Sequence, residues 1–216
     1  MTYEELKTKI ASFMNRGDLT SELDTFIDQT EGEINRILKH KDMIKRSTAT
    51  ADSQFMQLAG DFISAINVEI LTNEYQPLFQ QSLESLDAYR KSTDDVSGLP
   101  KYYAIVGDTL ELCPTPDQSY SIQLTYYANI DGLSATNTSN FVSTTAPDVY
   151  LYGCCKHASI FLMEDDRVVL FSGLFDKALE ELRLQQERAA FGKNSLIQRR
   201  RTYGNVSRKR TYFGNN

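Results

Sequence analysis

The sequence predicts an α+β fold, mainly α: a four-helix core from N- and C-terminal helix pairs, an inserted small antiparallel β region and an extended C-terminal arm. Three observations lead there. Apolar residues recur at helical spacing over residues 2–39 and 148–190, they alternate at period two in the middle of the chain, and basic residues crowd its end. With 216 residues, 41% hydrophobic and 24% charged, the composition is ordinary for a globular chain. A chain of this length buries roughly 70% of its unfolded surface, so it needs no metal or disulfide staple.

Residues 2–15 set Tyr3, Leu6, Ile10 and Phe13 at helical spacing, and Arg16-Gly17-Asp18 breaks the pattern. Residues 21–39 resume it with Leu23, Phe26, Ile27, Ile34, Ile37 and Leu38, with Thr20 placed as N-cap. His40, between Lys39 and Lys41, falls where it faces the negative end of that helix.

The period then changes. Residues 43–49, 54–58 and 65–72 read as strands, 75–79 as a continuation, and 80–91 as a short helix. Residues 92–100 form a loop by composition. KYYAIV and TLELC flank Gly107-Asp108, a two-residue turn that supplies positive φ, so they pair as a hairpin ended by Pro114 and Pro116. Residues 120–130 place Ile122, Leu124 and Tyr126 on one face, which leaves the other face of the β region wet.

Residues 131–146, rich in Ser, Thr and Asn, read as a surface loop. Pro147 suits a first helical turn and Asp148 its positive end. Residues 148–163, apolar or small nearly throughout, make the most buried helix. Glu164-Asp165-Asp166 open the last one, through about Ala190, with Val168, Phe171, Leu174, Phe175, Ala178 and Leu182 as its stripe and Gly192 as its end. The units are then residues 1–41 with 147–191 as one helical core, 42–146 as the inserted β-rich region, and 192–216 as the arm.

The net charge of −6 conceals a split. Eight basic residues and no acidic one follow Glu187, which leaves residues 1–187 with 15 basic against 29 acidic, a net of −14. An acidic body repels nucleic acid at long range. The tail does the opposite, and it places Tyr203, Tyr212 and Phe213 among Arg199, Arg200, Arg201, Arg208, Lys209 and Arg210. A solubilising tail has no use for those aromatics, so the segment reads as an arm that lies on a partner, against the plainer reading of a solvated chain end.

Sites for chemistry are scarce. There is no Gly-rich phosphate loop, no serine elbow and no HExxH pair. Cys113, Cys154 and Cys155 match no zinc spacing, and Cys154 with His157 supplies two ligands where a structural zinc needs four. The three thiols read as buried packing groups, made in a reducing cytoplasm. Asp94-Asp95 and Asp165-Asp166 serve solvation and a helix start, and Lys45-Arg46 and Arg90-Lys91 read as ordinary surface charge. No catalytic residue, cofactor or metal is expected. No apolar run reaches the roughly 18 residues of a membrane span, and MTYEELKTKI does not read as a signal peptide.

Residues 147–191, PDVYLYGCCKHASIFLMEDDRVVLFSGLFDKALEELRLQQERAAF, resemble the C-terminal helical signature of phage head-to-tail adaptor (connector or head-completion) proteins. The matching features are Pro147, Asp148, Tyr150, Leu151, Tyr152, Gly153, Asp165, Asp166, Arg167, Ala178, Leu179 and Leu182. KYYAIVGDTLELCPTPDQSYSIQLTYY is similar to the family's strand pair, and the N-terminal helical hairpin agrees. Phe171 stands where Trp is frequent, and Cys154-Cys155 where alanine-like residues are usual. The resemblance implies a homo-oligomeric ring, commonly twelve-fold, docked beneath the portal protein at the head–tail interface of the virion. It also implies a C-terminal extension that embraces the portal, a downstream tail or nozzle protein, and a channel through which DNA passes without sequence-specific binding. The alternatives are a nucleic-acid-binding accessory protein that uses the basic arm, or a hydrolase, for which the sequence offers no carboxylate pair at working distance.

Overall fold

The computed structural model describes residues 1–72, 76–94 and 96–190. In chain order the elements are α1 (Tyr3–Met14), α2 (Leu23–Ile37), a 3₁₀ turn (Lys41–Met43), β1 (Ile44–Ala51), β2 (Phe55–Gln57), β3 (Phe62–Ile70), β4 (Gln76–Pro77), β5 (Phe79–Gln80) and α3 (Leu83–Ser92). They continue with β6 (Tyr102–Val106), β7 (Thr109–Cys113), β8 (Tyr120–Ala128), α4 (Phe141–Thr145), α5 (Pro147–Phe161) and α6 (Asp165–Ala190).

The expectation of a mainly α chain organised on a four-helix core is corrected by the strands. The structure is 46% helical and 23% strand, with two four-stranded sheets. One has the order β1-β8-β3-β4 and the other β2-β7-β6-β5. The reason lies in where the alternating residues point. Ile122, Leu124 and Tyr126 of β8 do not face the helices; with Val68 and Ile70 they meet Leu110, Leu112 and Tyr103 of the second sheet in one shared core. Each sheet hides its apolar face on the other, so the β part is a sandwich with a core of its own. It is also not purely antiparallel, since β5 and β6 run parallel. The outward face of the first sheet is polar: Arg46, Thr48 and Thr50 pair with Thr125, Gln123 and Ser121, and Asn67 and Glu69 complete the row.

The helices form a second core. α1 opens on a capping box in which the Glu5 N–H donates to Thr2 Oγ1 and the Thr2 N–H donates to Glu5 Oε2. It buries Tyr3, Leu6, Ile10 and Met14, while Phe13 stays exposed. In α2, Ile37 is likewise exposed, and Thr20 donates to the Gly17 carbonyl instead of capping the helix. His40 lies three residues beyond the end of α2. It caps the 3₁₀ turn, its Nδ1 accepting the Asp42 N–H at 3.3 Å, and its ring stacks on Phe141. Burial lowers its proton affinity, so the imidazole acts there as an acceptor.

Residues 131–146 are not merely a surface loop. Asn140 caps α4 through a capping box with Ser143, and Leu133, Val142 and Ala146 pack into the helical core. α5, begun by Pro147, buries residues on most of its circumference against α1, α2, α4 and α6. At Gly153 the approach is closest: an added Cβ would stand 2.4 Å from Thr30 Cγ2 and 3.0 Å from Phe175 Cε2. Gly32, inside α2, has open space around it. Gly153→Ala is therefore expected to destabilise the fold by about 1–3 kcal/mol through overpacking, and Gly32→Ala to stabilise it by up to about 1 kcal/mol, as measured by urea unfolding.

Candidate functional site

The residues that the sequence singles out as a binding arm, Arg199, Arg200, Arg201, Tyr203, Arg208, Lys209, Arg210, Tyr212 and Phe213, lie outside the described residues. What is described is the element that leads to them. α6 has 26 residues, about 39 Å of helix. Phe171, Phe175, Ala178, Leu179 and Leu182 hold it to the core. Beyond Leu182 the side chains through Arg188 are exposed or half-buried, so the helix runs past the core as a stalk. Arg183 reaches Glu180 at 3.8 Å and Glu187 at 3.6 Å, surface pairs that each add a few tenths of a kcal/mol to the helix, about 0.3–0.5.

The candidates for chemistry are absorbed by the fold. Cys154 and Cys155 are fully buried in the α2–α5–α6 core, with Cys154 Sγ 3.5 Å from Thr30 Oγ1. Burial raises both thiols, Cys155 to about 12, which keeps them protonated and unreactive. His157 lies 3.5 Å from Glu33 Oε1, and burial lowers its proton affinity. Among the described residues no group of three or more His, Cys, Asp or Glu side chains is placed to hold a metal ion. Asp165 and Asp166 are exposed in the first turn of α6, and Asp95 lies outside the described residues.

In each of the two charged pairs read as ordinary surface, one residue has a structural partner, while Arg46 and Lys91 are exposed as read. The Arg90 guanidinium of α3 meets the buried Glu111 carboxylate of β7, and also donates to the Leu112 carbonyl at 3.0 Å. Lys45 of β1 donates to Asp61 at 2.9 Å and Asp131 at 3.0 Å, and the Tyr126 hydroxyl donates to Asp61. Sequence alone gives no signal for these, because the partners are 16 to 86 residues apart.

A family model described as SU10 adaptor protein matches residues 1–201. The chain belongs to that family. The SU10 adaptors are phage head-to-tail adaptors, so this one is a structural phage protein and a component of the virion. Comparison with curated proteins finds no match. No helix among the described residues is long and apolar enough to cross a membrane.

The adaptor's signature residues have physical roles in the helical core. Gly153 makes the close approach already described. Tyr150, buried one turn before it, donates its hydroxyl to Glu31 Oε1 at 3.0 Å and accepts from Asn140 Nδ2 at 2.6 Å. Glu31 Oε1 also accepts the Leu133 N–H at 2.7 Å, so one carboxylate joins α2, α5 and the segment before α4. Burial raises the proton affinity of Glu31 above the ordinary value of 4.5, and the two donors only partly offset it. The folded chain therefore holds that proton more tightly than the unfolded chain, and stability falls as pH rises from the ordinary value through the raised one. Glu31→Gln keeps an acceptor at Oε1 and lacks this loss. Urea unfolding at pH 4 and pH 7 is expected to show the variant gaining on the wild type as pH rises. Glu31→Ala strands two buried donors and costs about 2 kcal/mol at pH 4, and less at pH 7, because it too lacks the titrating carboxyl.

Proposed function

We propose that this adaptor is one subunit of a homo-oligomeric ring, a dodecamer by analogy with its family, that docks on the portal protein and carries the DNA channel on to a downstream tail or nozzle protein. Its place in the virion is then the head–tail interface, after synthesis in the bacterial host cytoplasm. The reading is carried by membership of the adaptor family over residues 1–201, a match that runs through α6 into the first basic cluster, Arg199-Arg200-Arg201.

The charge split supports it. A body with a net charge of −14 over residues 1–187 suits a conduit through which DNA slides without sequence-specific binding. The arm, residues 192–216, binds the portal: Arg199, Arg200, Arg201, Arg208, Lys209 and Arg210 supply charge, and Tyr203, Tyr212 and Phe213 supply anchors of the kind that dominate interfaces. In the same reading residues 1–41 and 147–191 form the unit that carries the arm, and 42–146 form an inserted unit.

Electron microscopy of purified portal particles mixed with the protein tests this. Full-length chain is expected to add ring density beneath the portal. A chain lacking residues 192–216 is expected to add none, while its melting temperature stays within about 2 °C of the wild type, because the deletion keeps every residue of the two cores among the described residues. A truncated chain that mounts normally would refute the role of the arm. A truncated chain that still mounts but loses salt-sensitive affinity for DNA would favour a nucleic-acid-binding arm instead.

A further inference from the structure

A sheet ends in edge strands, whose outer N–H and C=O groups find no partner within it. The two sheets here have four such edges: β1 and β4 in one, β2 and β5 in the other. β4 and β5 are two residues each, β4 contains Pro77, and β2 has three residues. β1 has eight, and it pairs with β8 from Ile44 to Ala51 in one unbroken register. β3, on the other side of β8, shifts register twice. Short strands, proline and bulges are the usual guards of an edge, and β1 has none of them.

Hydrogen bonding fixes which groups of β1 are spare. The Ser121 carbonyl accepts the Leu71 N–H, and the Asn129 N–H donates to the Asp61 carbonyl, both on the β3 side of β8. The residues of a strand alternate between its two neighbours, so the even-numbered residues of β8 bond to β1. Opposite them stand Lys45, Ser47, Ala49 and Ala51. The N–H and C=O groups of Arg46, Thr48 and Thr50 therefore point away from the sheet. No backbone bond from another segment among the described residues reaches them, and residues 46–50 are all exposed.

The side chains describe what such an edge would take. Ser47 and Ala49 lie beside the buried Leu124 and Ile122, on the sandwich side, and yet stay exposed, so the β core stops one strand short. A strand laid along β1 would cover them with apolar side chains of its own. Charge, the remaining guard of an edge, is thin here. The Lys45 ammonium is held by Asp61 and Asp131, and Arg46 is the last charge before Ala51. Arg46 forms no ion pair among the described residues, which suits a carboxylate on the incoming strand.

We infer that β1 is a docking edge for an extended strand of the downstream tail protein, which lengthens the sheet, sets apolar side chains beside Ser47 and Ala49 and brings a carboxylate to Arg46. The inference rests on the ring reading above. In that reading the helical unit carries the arm to the portal, which leaves the sandwich, and β1 with it, for the other neighbour. A second copy is disfavoured as occupant. Two β1 edges that meet make a two-fold contact, and neighbours in a cyclic ring do not share one. The chain's own arm is disfavoured by charge, since its arginines would stand against Arg46.

Amide hydrogen exchange over residues 44–51 tests this in the free full-length chain, on portal particles without a tail, and in purified virions. In the first two, the amides of Arg46, Thr48 and Thr50 are expected to exchange at least about tenfold faster than those of Ser47 and Ala49. In virions all five are expected to be slow. Fast exchange of the three in virions overturns the inference. Slow exchange in the free chain assigns the edge to a second copy, and slow exchange on tail-less portal particles assigns it to the portal or the arm; either result overturns it too. Thr48→Pro removes one spare donor and no bond within the sheet, so its melting temperature is expected to stay within about 2 °C of the wild type. The variant is expected to form rings on the portal and to lower the yield of tailed particles by about tenfold, while Thr48→Ala, which keeps the N–H, matches the wild type. An undiminished yield from Thr48→Pro counts against the edge, and the exchange measurement decides whatever the variant's stability. A wild-type chain that forms no ring on the portal sinks the ring reading itself, and this docking edge with it.

Discussion

α5 can lie where it does because Gly153 has no side chain. Thr30 of α2 and Phe175 of α6 occupy the space that a Cβ would need. That contact sets the distance between three helices, and other features follow from it. It brings Tyr150 within reach of Glu31, and Glu31 in turn fixes the Leu133 N–H and the chain that leads into α4. The end of β8 is tied to the same helix, since the Ile130 N–H donates to Asn35. The register between the helical core and the sandwich thus depends on helices packed as closely as their backbones allow, consistent with interiors that pack like crystals of small molecules.

The ends of the chain were legible because their apolar residues recur with one period and their termini carry capping chemistry. Pro147 and Asp148 sit where the sequence places them, whereas the capping box of Thr2 with Glu5 went unread and Thr20 caps no helix. Periodicity misjudged the margins. Phe13 and Ile37 fit the helical stripes and yet face outward, because hydrophobic spacing gives a direction and not the width of the neighbour that covers it. The strands were legible as strands, but their assembly into two sheets was not. Alternation says that one face is buried and leaves open whether helices or a second sheet bury it. α4 was hidden for another reason: Asn140 and Ser143 are loop residues by composition, and here they cap a helix of five residues. For the candidate site, the arm is visible in the sequence as charge and aromatics beyond Glu187, whereas the exposed turn at Met163 is not. Met163 closes the run read as the most buried helix and yet is exposed, whereas Val169 and Leu170 fall outside the stripe read for α6.

The polar residues are spent on architecture. Arg90 neutralises Glu111 under α3, Lys45 joins β1 to Asp61 and Asp131, and Lys156 pairs with Glu33 between α2 and α5. Buried charges such as Glu111 are costly unless paired, and their partners come from other elements, so these pairs favour one arrangement of sheets and helices over others. The signature residues of the family fall on this same framework. Tyr150, Gly153, Ala178, Leu179 and Leu182 are buried in it, while Asp165, Asp166 and Arg167 are exposed.

α6 also has the proportions of a mechanical part. It is a single helix from Asp165 to Ala190, held to the core along its middle, with side chains exposed or half-buried from Arg183 to Arg188. Over about 39 Å, a tilt of 10° imposed at one end displaces the other by about 7 Å. A subunit gripped near residue 165 and pulled beyond residue 190 would behave as a lever, converting small rotations at one end into large excursions at the other.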